Sequence, residues 1–277
     1  MGVVNVTPDS FSDGGLYADT DRAVAHGREL LAEGADILDI GGESTRPGAT
    51  RPVPAEELDR VVPVIEALAS HGATVSVDTM RSEVAAAALA AGASIVNDVS
   101  GGLADPAILD VVAGSDATYV AMHWRAHSDR MQDFAVYDGP GGVVEAVRAE
   151  LAARADAART AGVPDDRLVL DPGLGFAKLA GHNWELLRHL DRIGDLGLPI
   201  LVGASRKTFL GRLLADPADP DARPRPVDQR EAAGVALTVM LAAGAGRTGV
   251  WGVRVHDVRA HLDALRVVAA WQGDARA

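Results

Sequence analysis

Short apolar segments rich in Val, Ile and Leu alternate with longer segments of helical period from one end of this chain to the other. That alternation limits the fold more than any single motif does, because a strand, a crossover and another strand build a parallel sheet. The pattern predicts strands at Gly2 to Val6, Asp36 to Ile40, Thr74 to Asp78, Ser94 to Asn97, Thr118 to Met122, Arg167 to Asp171, Pro199 to Gly203 and Val250 to Val255. Between them Leu58, Val61, Val62, Ile65 and Leu68 make one helical stripe, Leu186, Leu187, Leu190 and Ile193 a second, and Val258, Leu262, Leu265 and Val268 a third. Thr20 and Asp21 suit the start of the first helix, and Gly34, Gly72, Gly92 and Gly162 fall where helices should stop. Eight strand-helix units in 277 residues are the count and size of an α/β chain folded as a (β/α)8 TIM barrel. A doubly wound open sheet is the structural alternative. It would carry a Gly-x-Gly-x-x-Gly turn after its first strand, where this chain reads Val6-Thr7-Pro8-Asp9-Ser10. No linker or shift in composition divides the chain, so residues 1–277 read as one domain, with Asp216 to Asp228 a surface excursion.

Composition narrows the function. Apolar residues make up 48% and charged residues 23%, enough for a large core. No apolar run approaches the about 20 residues of a membrane span, and Met1 leads straight into the first strand without a targeting signal, so a cytoplasmic location is expected. Cysteine is absent, which excludes disulfides and thiolate metal sites. A net charge of −13 argues against a nucleic-acid partner, whose footprint is a basic face. A small anionic ligand would need cations gathered locally. Such a gathering stands at Ser205-Arg206-Lys207-Thr208, where an apolar strand ends before an expected helix, so backbone N–H groups and two cations meet.

Barrel enzymes place their chemistry at the C-terminal ends of the strands. Here those ends carry Asn5, Asp78, Asn97-Asp98, Met122-His123, Asp171, Ser205 to Lys207 and Arg254 to Asp257. Asp78, Asn97 and Asp171 supply carboxylate acceptors and a two-sided amide, which suit a flat heteroaromatic with ring N–H donors and a carbonyl. Arg254 and His256, two apart in a strand, share a side and form a second anion clamp. The loops at Thr7 to Gly15 and Gly41 to Gly48 have Gly-rich ends around charged and aromatic residues, a composition suited to closing over a ligand. No His/Cys spacing fits zinc, and any Mg²⁺ would be held mainly by ligand phosphates.

The motifs Asn5 to Gly15, Gly41 to Gly48, Ser76-Val77-Asp78-Thr79, Asn97 to Gly102, Asp171 to Phe176, Ser205-Arg206-Lys207 and Arg254 to Asp257 resemble, in order, those of the dihydropteroate synthases, enzymes of folate biosynthesis inhibited by sulfonamides. The resemblance runs from Met1 to about Trp271. It implies a transferase that joins 6-hydroxymethyl-7,8-dihydropterin pyrophosphate to p-aminobenzoate through an SN1-like displacement. By that resemblance Asp78, Asn97, Asp171, Lys207 and Arg254 would hold the pterin, and Asn5, Arg254 and His256 the pyrophosphate, with Mg²⁺ at Asn5. Phe11, Thr45, Arg46, Pro47, Phe176 and Thr208 would hold p-aminobenzoate. Lys207, Asp13, Asp171 and Arg254 would carry the catalysis, and a homodimer built through the last helices is expected. The alternatives are a non-catalytic pterin-binding paralogue and a pterin-dependent methyltransferase. The segment His123-Trp124-Arg125-Ala126-His127-Ser128 departs from the family type, and the N-terminal segment of the family is not expected before Met1.

Overall fold

The computed structural model describes residues 1–7, 16–43, 52–127, 130–219, 221 and 223–273, the side chains of residues 16–18 excepted. Eight strands follow one another around a single parallel sheet: β1 (Gly2–Asn5), β2 (Leu38–Gly41), β3 (Val75–Asp78), β4 (Ile95–Asp98), β5 (Thr118–Met122), β6 (Leu168–Asp171), β7 (Ile200–Val202) and β8 (Val250–Val253). The sheet closes. Val3 donates its backbone N–H to Val255 at 3.0 Å and Val255 donates to Met1 at 3.0 Å, so the last strand segment returns to the first. Closure excludes the open sheet and establishes the (β/α)8 barrel. Six strands are shorter than the predicted runs, β4 keeps the predicted length one residue later, and β5 coincides with Thr118 to Met122.

The helices are α1 (Leu16–Ala32), α2 (Pro54–Ala69), α3 (Ser82–Ala90), α4 (Ala107–Ala113), α5 (Gly142–Ala161), α6 (Ala180–Arg188), α7 (Leu190–Gly194), α8 (Thr208–Leu213), α9 (Glu231–Ala243), α10 (Ala245–Thr248) and α11 (Val258–Trp271). Two expectations shift. The first helix already runs at Leu16, upstream of Thr20. The second apolar stripe is split between α6 and α7 at His189, whose backbone leaves the helical region, while Leu186, Leu190 and Ile193 all stay buried. Helix ends fall at glycines as expected, with positive φ at Gly34, Gly72, Gly92 and Gly162. Asp257 caps α11 by accepting the Ala260 N–H at 3.2 Å.

Alternation along each strand separates two cores. Leu38, Ile40, Val75, Val77, Val96, Leu168, Leu170 and Ile200 face outward and pack with Val61, Ile65, Leu68, Val84, Leu151 and Leu186 of the helices. Inside the barrel, Ile95, Val120, Val169 and Leu201, with Met1 and Ile37 against them, form a small apolar floor. The pairing register then sets the level of the groups above that floor. Asn5 pairs with Gly41, Gly41 with Asp78, and Asp78 with Asn97, so three strand-end side chains lie in one row across four strands.

Candidate active site

Inside the barrel Asp39 on β2 is fully buried, in register with the equally buried Ser76 of β3. Its Oδ2 accepts from Arg254 Nε at 2.6 Å and from Asn97 Nδ2 at 3.1 Å. A carboxylate can only accept, so the Asn97 amide must turn its N–H₂ toward Asp39 and present its carbonyl oxygen elsewhere. Arg254 donates a second time, from Nη2 to Asp78 Oδ2 at 2.8 Å. Burial by itself would lower the Arg254 pKa, but the charges of Asp39 and Asp78 more than offset it, and the guanidinium stays charged. Asp78 is less comfortable. Burial pushes its carboxyl up to about 7 against the opposing pull of Arg254, and the nearby Asp39 charge adds to the rise.

Across the mouth stand Asp171 and Lys207. Asp171 Oδ1 accepts the Gly173 N–H at 2.7 Å, and burial raises the carboxyl pKa against the Lys207 charge. Burial brings the Lys207 ammonium down to about 8, with Asp171 opposing. Lys207 Nζ donates to the Leu174 carbonyl and lies 4.8 Å from the Phe176 ring centroid, a cation–π contact. Gly203 explains why this space is open. A Cβ there would sit 3.8 Å from Asp171 Oδ2, 3.9 Å from Lys207 Nζ and 3.8 Å from Arg254 Cβ, in the middle of the charged groups. Met80, Val99 and Met122, with Phe176 and Trp124 packed on them, make one apolar wall beside it. A flat ring with polar edges matches an apolar wall facing a rim of acceptors and one ammonium.

The basic stretch divides its work. Arg206 adopts a positive φ of 62° and projects outward toward Glu231 at 3.9 Å, so only Lys207 of the expected cation pair turns into the barrel. Ser205 Oγ hydrogen-bonds His256 Nδ1 at 3.0 Å and accepts the His256 backbone N–H at 3.3 Å, which fixes that ring at the rim. Thr208 opens α8 and is exposed.

With this geometry in view, the family described as "Pterin binding enzyme" matches residues 1–256. A dihydropteroate synthase of Mycobacterium leprae is 55% identical over 273 residues, covering 98% of this chain and 92% of that protein. The chain belongs to the dihydropteroate synthase family. It is similar in structure to Xanthomonas albilineans dihydropteroate synthase solved with 4-aminobenzoic acid, at 46% identity, a TM-score of 0.86, and coverage of 98% and 92%. A second structure of the Xanthomonas albilineans enzyme, in complex with 7,8-dihydropteroate, gives 44% identity, a TM-score of 0.81, and coverage of 98% and 92%. The family is one of transferases, and the relatives favour the synthase over the non-catalytic paralogue.

Of the residues expected in a synthase site, Asp78, Asn97, Asp171, Lys207, Arg254 and Phe176 line one mouth, with Asn5 level with Asp78 and His256 on the rim. Phe11, Asp13, Thr45, Arg46 and Pro47 lie outside the described residues. Sequence reasoning missed Asp39. Its signal was an acid flanked by Leu38 and Ile40 inside a strand, on the face opposite to the helices. It also missed Glu57, fully buried on α2, which accepts from Thr79 Oγ1 at 2.6 Å and pairs with Arg81. Arg81 donates to the Pro52 carbonyl at 2.6 Å and pairs with Glu43 at 3.5 Å.

Proposed function

We propose that the chain joins 6-hydroxymethyl-7,8-dihydropterin pyrophosphate to p-aminobenzoate, releasing pyrophosphate and 7,8-dihydropteroate, with the mouth described above as its site. The observation that carries this reading is the division of charge around Gly203: Asp171 and Lys207 on one side, and the Asp39, Arg254 and Asp78 chain on the other. The pterin N–H groups would meet Asp78, the Asn97 carbonyl oxygen and Asp171, and Lys207 would donate to ring acceptors. An unmatched buried group costs about 1–3 kcal/mol, so this edge pattern selects the ring.

Departure of pyrophosphate leaves a cation on the pterin methylene, delocalised into the ring. Asp171 and Asp13 would stabilise that cation, while Arg254 and His256 would stabilise the leaving oxygens. The arylamine is neutral near pH 7, so attack needs orientation more than a general base. Phe176 and Thr208, with Phe11, Thr45, Arg46 and Pro47, would hold p-aminobenzoate. Mg²⁺ fits the donor set in a limited way. Asn5 offers one amide oxygen at the strand end, and among the described residues no group of three or more His, Asp or Glu could cage an ion. The ion would therefore be held by Asn5 and substrate phosphates, and when bound it neutralises charge on the leaving group.

A homodimer and a cytoplasmic location complete the reading. Exposed Met240 on α9, and Val267 and Trp271 on α11, support a partner copy on that face. Among the described residues no helix is long and apolar enough to cross a membrane. Pyrophosphate release from dihydropterin pyrophosphate and Mg²⁺, measured with and without p-aminobenzoate, tests the reaction. Release that requires p-aminobenzoate and yields dihydropteroate is expected, and tight pterin binding without turnover would overturn it.

A further inference from the structure

Lys178 is buried, and no role given to the mouth uses it. Its Nζ donates to His123 Nδ1 at 2.8 Å, to the Gly173 carbonyl at 2.9 Å and to the Phe176 carbonyl at 2.9 Å. Burial and the Lys207 charge bring the Lys178 ammonium well below the ordinary lysine range, and the three acceptors are all satisfied when the lysine keeps its third proton. His123 stands at the end of β5 and is itself buried; burial, with the Lys178 charge added, takes its pKa down to about 4. A neutral ring that accepts at Nδ1 must carry its proton at Nε2, and there it donates to Glu150 Oε2 of α5 at 2.9 Å. Partial burial would raise the Glu150 carboxyl, but hydrogen bonds from His123 and Arg125 bring it down to about 2, so the acceptor is anionic. Arg125 completes the arrangement by donating to Glu150 at 2.5 Å and lying 4.1 Å over the Tyr137 ring, whose hydroxyl donates to the Ala177 carbonyl at 3.0 Å.

The object of these contacts is the turn after β6. Gly173 and Gly175 have φ of 65° and 83°, and Ala177 holds 48° although it has a side chain. A Cβ at Gly173 would meet the His123 carbonyl at 2.3 Å, so the turn is pressed against the end of β5. Backbone of this kind persists only where its surroundings over-determine it. The same turn aims the Leu174 carbonyl at Lys207 and carries the Phe176 ring beneath that ammonium.

We propose that Lys178, oriented by the Glu150–His123 pair, is a positioning residue that locks the 173–177 turn and thereby sets the placement of Phe176 and Lys207 for the p-aminobenzoate half of the reaction. The proposal rests on the condensation described above. Its test compares the full-length wild type with Lys178→Met, His123→Leu and His123→Asn, measuring kcat and KM for each substrate together with thermal melting. Asn retains an acceptor at the δ position and Leu does not. Lys178→Met and His123→Leu should raise KM for p-aminobenzoate about tenfold or more, with a smaller change for the pterin substrate, and His123→Asn should stay within about threefold of wild type. Equal KM values in a folded Lys178→Met enzyme, with only the melting temperature lowered, would overturn the proposal, as would indistinguishable His123→Leu and His123→Asn enzymes. Should Lys178→Met fail to fold, the two His123 variants decide. Absence of turnover in the wild type would instead sink the condensation, and this role with it.

Discussion

The inside of this barrel changes character within one step along its strands. Ile95, Val120, Val169 and Leu201 make the floor, and two residues further along the same chain segments Asn97, Met122, Asp171 and Gly203 stand at the mouth. The step is only about 6.6 Å. Below it hydrocarbon packs against hydrocarbon and contributes stability. Above it Asp78, Asp171 and Lys207 are all held away from their ordinary pKa values by burial. A protein that orders charges before its ligand arrives gives up stability at the place where the ligand will be bound.

Four experiments would break or sharpen that contrast. The largest effect should come from Lys207→Ala, which removes the ammonium from the mouth and leaves the floor intact. A loss of about 10²–10³ in kcat/KM is expected with little change in melting temperature, and activity within a few-fold of wild type would remove Lys207 from the mechanism. Leu201→Ala should do the reverse. Denaturant titration should show a loss of about 2–5 kcal/mol, while the constants of the folded enzyme stay near wild type. A drop in kcat matching the stability loss would mean that floor and mouth are not separable.

Asp39→Asn comes next. It takes away the charge that holds Arg254 Nε and allows the Asn97 amide to turn over. Pterin binding measured by calorimetry should weaken by about 1.5–3 kcal/mol, and unchanged affinity would show that Asp78 suffices to hold the guanidinium. The smallest effect concerns pH. Lys207 lies near 8 because burial disfavours its charge, so kcat/KM should fall as pH rises through about 8. Stability moves in the other direction. The folded chain binds fewer protons at this lysine than the unfolded chain between about 8 and 10.5, so the Lys207 contribution to stability rises with pH across that window. A rate profile flat to pH 9 would place the Lys207 pKa higher and the mouth nearer to water.

Much of this was legible before any coordinates. The barrel and five residues of the mouth, Asp78, Asn97, Asp171, Lys207 and Arg254, could be read from alternation and the strand ends, because a strand end in a parallel barrel has only one place to be, whereas Phe176 came only from the family resemblance. Asp39 was harder to read. An acid between Leu38 and Ile40 looks like an interruption in an apolar run until its partners, Asn97 on β4 and Arg254 beyond β8, are brought beside it. The Lys178 cluster was harder still, since its acceptors come from the end of β5, a turn after β6 and a glutamate on α5.

What the chain by itself determined was periodicity: which residues alternate inward, where helices stop, and which polar types end each strand. Tertiary structure decided which of those groups are neighbours. It sent Arg206 outward and Lys207 inward, and it turned one face of the Asn97 amide toward Asp39. The physical reason is range. Backbone propensity and side-chain alternation act over a few residues, whereas charge, hydrogen bonding and burial act over a few ångströms between segments that closure of the barrel brings together, Arg254 and Asp39 from positions 215 residues apart.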